Sequence, residues 1–196
     1  AAGLSIPPKE YDIIQSSLAN PEVAITSPVM FSYVRGRIAI RGTAGGEDFA
    51  SYRVEIGAGL NPTAWLQIGS GSTPLTNTIL AEWDSEGQEG LYAIRLLVLR
   101  SEQRFETATI QVSVDNTLPV VIIPYPQQDA VFKLEEDQAI TLQATAEDAI
   151  GISRVEWWID NTRVGARERP PFVQTWPLSK GTHLLFVRAF DLAGNM

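Results

Sequence analysis

The chain has 196 residues, 44% of them hydrophobic, and no cysteine. That length suits two domains of about 100 residues, and the missing cysteines exclude disulfides, thiolate metal sites and a cysteine nucleophile. The formal net charge of -8 repels a phosphate backbone and an anionic bilayer surface, so nucleic acid is excluded as a natural partner.

Residues 1–21 read as a leader or linker. The opening Ala1–Pro8 has no basic segment followed by an apolar one, so it does not read as a signal peptide. Any targeting segment of an exported parent is expected upstream. Pro7 and Pro8 set an extended start, a short helix is expected over Tyr11–Leu18, and Asn20-Pro21 ends it. No apolar run reaches the roughly 18 residues that a membrane span needs.

From Val23 the pattern changes to short runs with period-2 alternation, separated by turn residues. Strands are expected over Val23–Ile25, Arg37–Arg41, Tyr52–Ile56, Trp65–Ile68, Ile79–Trp83, Leu91–Leu99 and Thr107–Val114. Ile38 and Ile40 share one face, as do Tyr52, Val54 and Ile56. Gly69–Ser72 reads as a flexible link. About seven strands in this span is the count of a small antiparallel sandwich, assigned to residues 22–116.

Asp115–Pro119 ends that unit and sets the direction of the next. A second pass over residues 117–196 repeats the first. Gly36–Ala44 and Tyr52–Ile56 return as Gln138–Ala146 and Ser153–Trp157, and Arg53-Val54-Glu55 returns as Arg154-Val155-Glu156. Trp83 and Gly90-Leu91-Tyr92 return as Trp176 and Gly181-Thr182-His183. The second pass reaches Met196 without an equivalent of the strand over Thr107–Val114. That predicts an unpaired edge on the last strand of the second unit.

The repeat assigns most conspicuous side chains to packing. Trp83 and Trp176 hold matched positions before a turn. Tyr92 and His183 match a tyrosine-corner position, where a ring polar group bonds nearby backbone. His183 is the single histidine, so no multi-histidine metal site exists, and no Ser/His/Asp arrangement is suggested around it. Trp157 alternates with Val155 and Ile159 into the core. Trp158 alternates outward with Glu156 and Asp160, and is the candidate ligand contact because an outward indole beside acids can stack on a sugar ring.

Asp115, Glu147, Asp148 and Asp191 fall near the expected junction between the two units, with Asn116 and Asn195. Calcium takes such oxygen ligands. EF-hand spacing is absent, and capping of turns by Asx side chains is the competing reading. Catalytic motifs are absent, including Gly-x-Ser-x-Gly, Ser-x-x-Lys, His-Glu-x-x-His and phosphate-cradling glycine loops, so no catalytic residue and no cofactor is assigned.

Ile25–Pro28, Gly36–Thr43, Phe49–Gly57, Pro62–Trp65, Leu80–Asp84, Gly90–Leu96 and Val114–Pro119 together resemble bacterial immunoglobulin-like modules. The expected fold is therefore all-β, two tandem immunoglobulin-like or fibronectin III-like antiparallel sandwiches. Gly3–Pro8 is similar to the linker that leaves the transpeptidase domain of bifunctional (class A) penicillin-binding proteins. This resemblance implies a non-catalytic spacer or interaction region of an exported, extracytoplasmic cell-envelope protein, with peptidoglycan or another envelope protein as partner. The alternative is a carbohydrate- or cell-wall-binding module of a secreted hydrolase or protease.

Overall fold

The computed structural model describes residues 20–101 and 103–196. Among these residues the chain is entirely strands and turns. The first half contributes β1 (Val23–Ser27), β2 (Tyr33–Val34), β3 (Arg37–Ala44), β4 (Phe49–Ala58), β5 (Leu66–Gly71), β6 (Leu75–Asp84), β7 (Gly90–Arg100) and β8 (Phe105–Val114). The second contributes β9 (Val120–Tyr125), β10 (Ala139–Glu147), β11 (Ile152–Ile159), β12 (Thr162–Arg167), β13 (Phe172–Pro177) and β14 (Leu185–Asp191). The helix expected over Tyr11–Leu18 lies outside the described residues.

Two sandwiches follow from this order. In the first, the sheet β1-β3-β6 faces the sheet β2-β8-β7-β4-β5. In the second, β9-β10-β13 faces β12-β11-β14. Period-2 alternation sends one side of each strand into the gap between sheets. Ile38 and Ile40 of β3 thus meet Val54 and Ile56 of β4 in one core, while Leu142 of β10 and Val155 and Trp157 of β11 build the other. Each aliphatic side chain so enclosed contributes about 1.5–3 kcal/mol.

The matched aromatic positions do the same job in both copies. Trp83 is buried against Tyr92 with ring centroids 5.1 Å apart, and Trp176 meets His183 at 5.0 Å. The Arg-Val-Glu repeat is also explained. Its glutamates lie on the outer sheet faces yet are buried, because arginines cover them. Glu55 is held by Arg53 and by Arg95 from β7, with Arg53 Nε at 2.9 Å. Glu156 is held by Arg163 Nη1 at 3.0 Å and by Arg154 Nε, which sits 2.8 Å away but off hydrogen-bond geometry.

Two local expectations change. Gly69–Gly71 is the end of β5, not a flexible link. These glycines permit close approach: a Cβ on Gly69 would lie 2.7 Å from Ala81 Cβ, and one on Gly71 2.7 Å from the Tyr52 ring. The two-residue β2 escapes the alternation pattern because it is too short to show one. It pairs in parallel with β8, Tyr33 opposite Ser113 and Val34 opposite Val114. In the second sandwich, β14 pairs with β11 alone among the described residues, so its outer edge is unpaired there.

Trp157 is fully buried, whereas Trp158 is half-buried on the outer face. Trp157→Ala should therefore cost about 3–5 kcal/mol of unfolding free energy, read by denaturant titration. Trp158→Ala should cost clearly less; equal losses would contradict this assignment of the two faces.

Candidate functional site

The most constrained region is the segment that leaves β8. Asp115 N donates to Val34 O at 3.0 Å, continuing the β2–β8 pairing by one residue. Asn116 then locks the chain to the first sandwich. Its Oδ1 accepts from Gly36 N at 2.8 Å, and its Nδ2 donates to Ser85 O and Gln88 O at 2.8 and 2.9 Å. From the other side, Asn195 reaches across. Its Nδ2 donates to Asp115 O at 2.9 Å and to Asp191 Oδ2 at 2.7 Å, while its backbone N donates to Asp191 Oδ1. Asp191 and Asn195 close a tight turn in which Gly194 takes a positive φ of 85°, a conformation that glycine adopts without steric cost.

Three carboxylates converge here. One oxygen each of Asp115, Asp148 and Asp191 lies within 4.8 Å of the other two. Asp115 leaves the end of β8, Asp148 opens the β10–β11 link, and Asp191 ends β14. Asp115 and Asp191 are buried, and Asp148 is half-buried. Asp148 Oδ1 accepts from Ile150 N at 2.9 Å, and Asp115 Oδ1 accepts from Thr117 N at 3.1 Å. Asp115 Oδ2 is buried with no hydrogen-bond donor among the described residues. Burial, then the neighbouring Asp148, Asp191 and Glu89, push the Asp115 carboxyl above its ordinary pKa, against a lowering from the Thr117 amide. Two like charges at 4.8 Å repel by about 3 kcal/mol at an effective dielectric of 20. Glu147, expected in this group, is outside it. As the last residue of β10 it points to the exposed side, opposite to its neighbour Asp148.

The corresponding end of the first sandwich handles acids differently. There the chain approaching β1, the β3–β4 link and the end of β7 converge around the buried Arg100. Its guanidinium donates to Gly45 O at 2.7 Å, Glu47 O at 2.9 Å and Glu106 Oε2 at 2.8 Å. The hydrogen bond to Glu106, opposed by burial, leads the causes that raise the Arg100 pKa, and Glu22 and Asp48 add to it. Among the described residues, no Lys, Arg or His nitrogen lies within 4 Å of a carboxylate oxygen of Asp115, Asp148 or Asp191.

A second arrangement corrects the sequence reading. His183 does stand between a serine and an aspartate. Its Nδ1 is 2.6 Å from Asp160 Oδ2, and its Nε2 is 3.0 Å from Ser179 Oγ and 3.2 Å from Ser179 O. The β11–β12 and β13–β14 turns meet here, a tertiary contact that residue spacing does not reveal. Asp160 also accepts from Leu184 N at 2.9 Å. The hydrogen bond to Asp160 holds the imidazole pKa above its ordinary value. When protonated, the ring donates from both nitrogens and joins the two turns through Asp160 and Ser179.

Trp158 stays on the outer face, as alternation predicts, but its ring is not an open platform. Arg188 lies over it at 4.7 Å, Phe186 is parallel to it with centroids 6.3 Å apart, and Nε1 donates to Glu156 at 3.2 Å.

Residues 119–187 match the family described as Bacterial Ig domain. Over 88% of this chain and 87% of the other, the fold is similar to the fibronectin(III)-like modules of Clostridium thermocellum CbhA, with a TM-score of 0.56 and 24% identity. Chicken CNTN1 FN1–FN3 domains match over 89% of this chain and 61% of theirs, with a TM-score of 0.48 and 14% identity. No curated protein matches the sequence. The fold is thus two tandem immunoglobulin-like or fibronectin III-like antiparallel β-sandwiches.

The pH dependence of the His183 clamp has a defined sign. His183, raised above 6.5, stabilises the fold below that value and loses its contribution as pH rises through the raised pKa. Asp160, lowered below 3.8, contributes above that value and loses it as pH falls through the lowered pKa. The difference in melting temperature between wild type and His183→Gln should be largest between pH 3.8 and 6.5 and shrink above neutrality. A difference that grows towards alkaline pH would contradict the clamp.

Proposed function

We propose that this chain is a non-catalytic accessory region of an exported cell-envelope protein, and that it sets the distance and orientation of what flanks it. One observation carries the reading: the junction is bonded from both sides. Asn116 ties it to the first sandwich, and Asn195 ties Asp115 O to the second. A flexible tether between independent binding modules would need neither. Fibronectin III-like and immunoglobulin-like sandwiches generally serve as accessory or binding modules, which supports the same role here. The parent we propose is a peptidoglycan-synthesising, bifunctional penicillin-binding protein. Support for that comes from the resemblance of Gly3–Pro8 to the linker that leaves the transpeptidase domain of such proteins, followed by modules that resemble bacterial immunoglobulin-like ones, and the proposed location is extracytoplasmic.

The carbohydrate-binding alternative is favoured by a different place from Trp158. A shallow groove of about 490 Å³ crosses the outer face of the five-stranded sheet, lined by Ser51, Arg53, Gln67, Ser70, Leu97 and Phe105. Phe105 is exposed there, with the Arg53 guanidinium 5.9 Å from its ring centroid.

Small-angle X-ray scattering should give the distance distribution of one rigid, elongated body, broadened by Asn195→Ala. A wild-type distribution typical of two freely jointed bodies would defeat the spacer reading. Co-sedimentation with isolated peptidoglycan separates the alternatives. Retention that Phe105→Ala reduces at least tenfold would support glycan binding in the groove, and no retention leaves spacing as the role.

A further inference from the structure

We propose that Asp115, Asp148 and Asp191 form a calcium site that clamps the two sandwiches together. The site is not assembled from one surface loop. Asp115 follows the last strand of the first sandwich, while Asp148 lies in the β10–β11 link and Asp191 at the end of β14 in the second. An ion held by all three fixes one sandwich to the other.

Two independent observations lift this cluster above an ordinary group of surface acids. The first is Asp115 Oδ2. Asp115 is only 3% exposed, and this oxygen has no donor among the described residues although its partner Oδ1 has one. A buried carboxylate oxygen without a donor is costly, and here it sits in a cluster with two more carboxylates. The second is the internal comparison. At the equivalent end of the first sandwich, the acids Glu22, Asp48 and Glu106 surround a cation that the chain supplies itself, the Arg100 guanidinium. The second sandwich has the acids at this end, and no basic nitrogen pairs with them among the described residues. A soluble cation there would do what Arg100 does in the first copy.

The donor set selects the ion. Three carboxylates offer hard oxygen atoms and no nitrogen or sulfur, which favours calcium or magnesium over zinc or copper. Calcium accepts six to eight oxygens in irregular geometry, whereas magnesium demands a near-ideal octahedron at about 2.0–2.1 Å. The carboxylates here are spread over up to 4.8 Å and held by backbone amides of Thr117, Ile150 and Asn195. Such a pre-set, spread arrangement suits the larger ion. Three carboxylates facing a doubly charged ion place the affinity in the range of extracellular modules, about 0.1–1 mM. The proposal stands on this geometry and not on the spacer reading, so either can fail alone.

Calorimetric titration of chelator-treated protein with calcium chloride should give one site at sub-millimolar to millimolar affinity. The melting temperature should rise by several degrees in calcium and return on adding chelator, with a smaller rise in magnesium. Asp148→Asn, at the half-buried position least able to disturb folding, should weaken calcium at least tenfold. Asp115→Asn should abolish the calcium response while melting no lower than wild type in chelator, because it removes a buried repelling charge. No titration heat together with an unchanged melting temperature at millimolar calcium overturns the proposal. So does a calcium shift that both variants retain.

Discussion

A sandwich of two sheets closes its apolar core along the faces of its strands but leaves its ends open. At the end where the incoming chain, the link that crosses from one sheet to the other and a long central strand meet, polar backbone and acidic side chains are forced inward. Buried acids in such a place must be neutralised, hydrogen-bonded or protonated. The two copies in this chain meet that constraint in different ways. In the first, Arg100 donates to two carbonyls and to Glu106. In the second, Asn195 satisfies Asp191 and bridges to Asp115 O, but leaves Asp115 Oδ2 without a donor.

The contrast is informative because so much else is the same. The Arg-Val-Glu strands bury a glutamate beneath arginines in both copies, and the Trp–Tyr and Trp–His pairs close the opposite ends at nearly equal distances. Ion pairs of this kind stabilise little when exposed. Here each glutamate is buried and held by two arginines, so removing both arginines would leave an uncompensated charge rather than merely lose an attraction. With packing and outer faces preserved, the change from a built-in cation to an acidic cluster stands out at the end of the second sandwich that meets the first.

The core was legible in the sequence because period-2 alternation determines which side chains face inward. Val54, Val155, Trp83 and Trp157 are buried as that rule requires. The acidic group was legible in part. Asp115, Asp148 and Asp191 converge, while Glu147, the last residue of β10, lies on the exposed face of that strand and outside the group. What stayed hidden depends on turns meeting in space. Asp160 of the β11–β12 turn reaches His183, which with Ser179 lies in the β13–β14 connection, and β2 is too short to carry a periodic signal. Trp158 faces outward as alternation says, but alternation within one strand cannot report that Arg188 of a neighbouring strand covers it.

The position of the acidic cluster also decides what neutralising it would do. Arg100 lies at the end of β7, and its hydrogen bonds to Gly45, Glu47 and Glu106 stay within the first sandwich. Asp115, Asp148 and Asp191 straddle the boundary between the sandwiches. A charge placed among them acts on two bodies at once, and its binding free energy is linked to their relative orientation as well as to the stability of either. Substituting an arginine for one of these acids would satisfy the local electrostatics, but it would make the link permanent. A soluble ion bound there instead would make the stiffness of the pair depend on the medium around it.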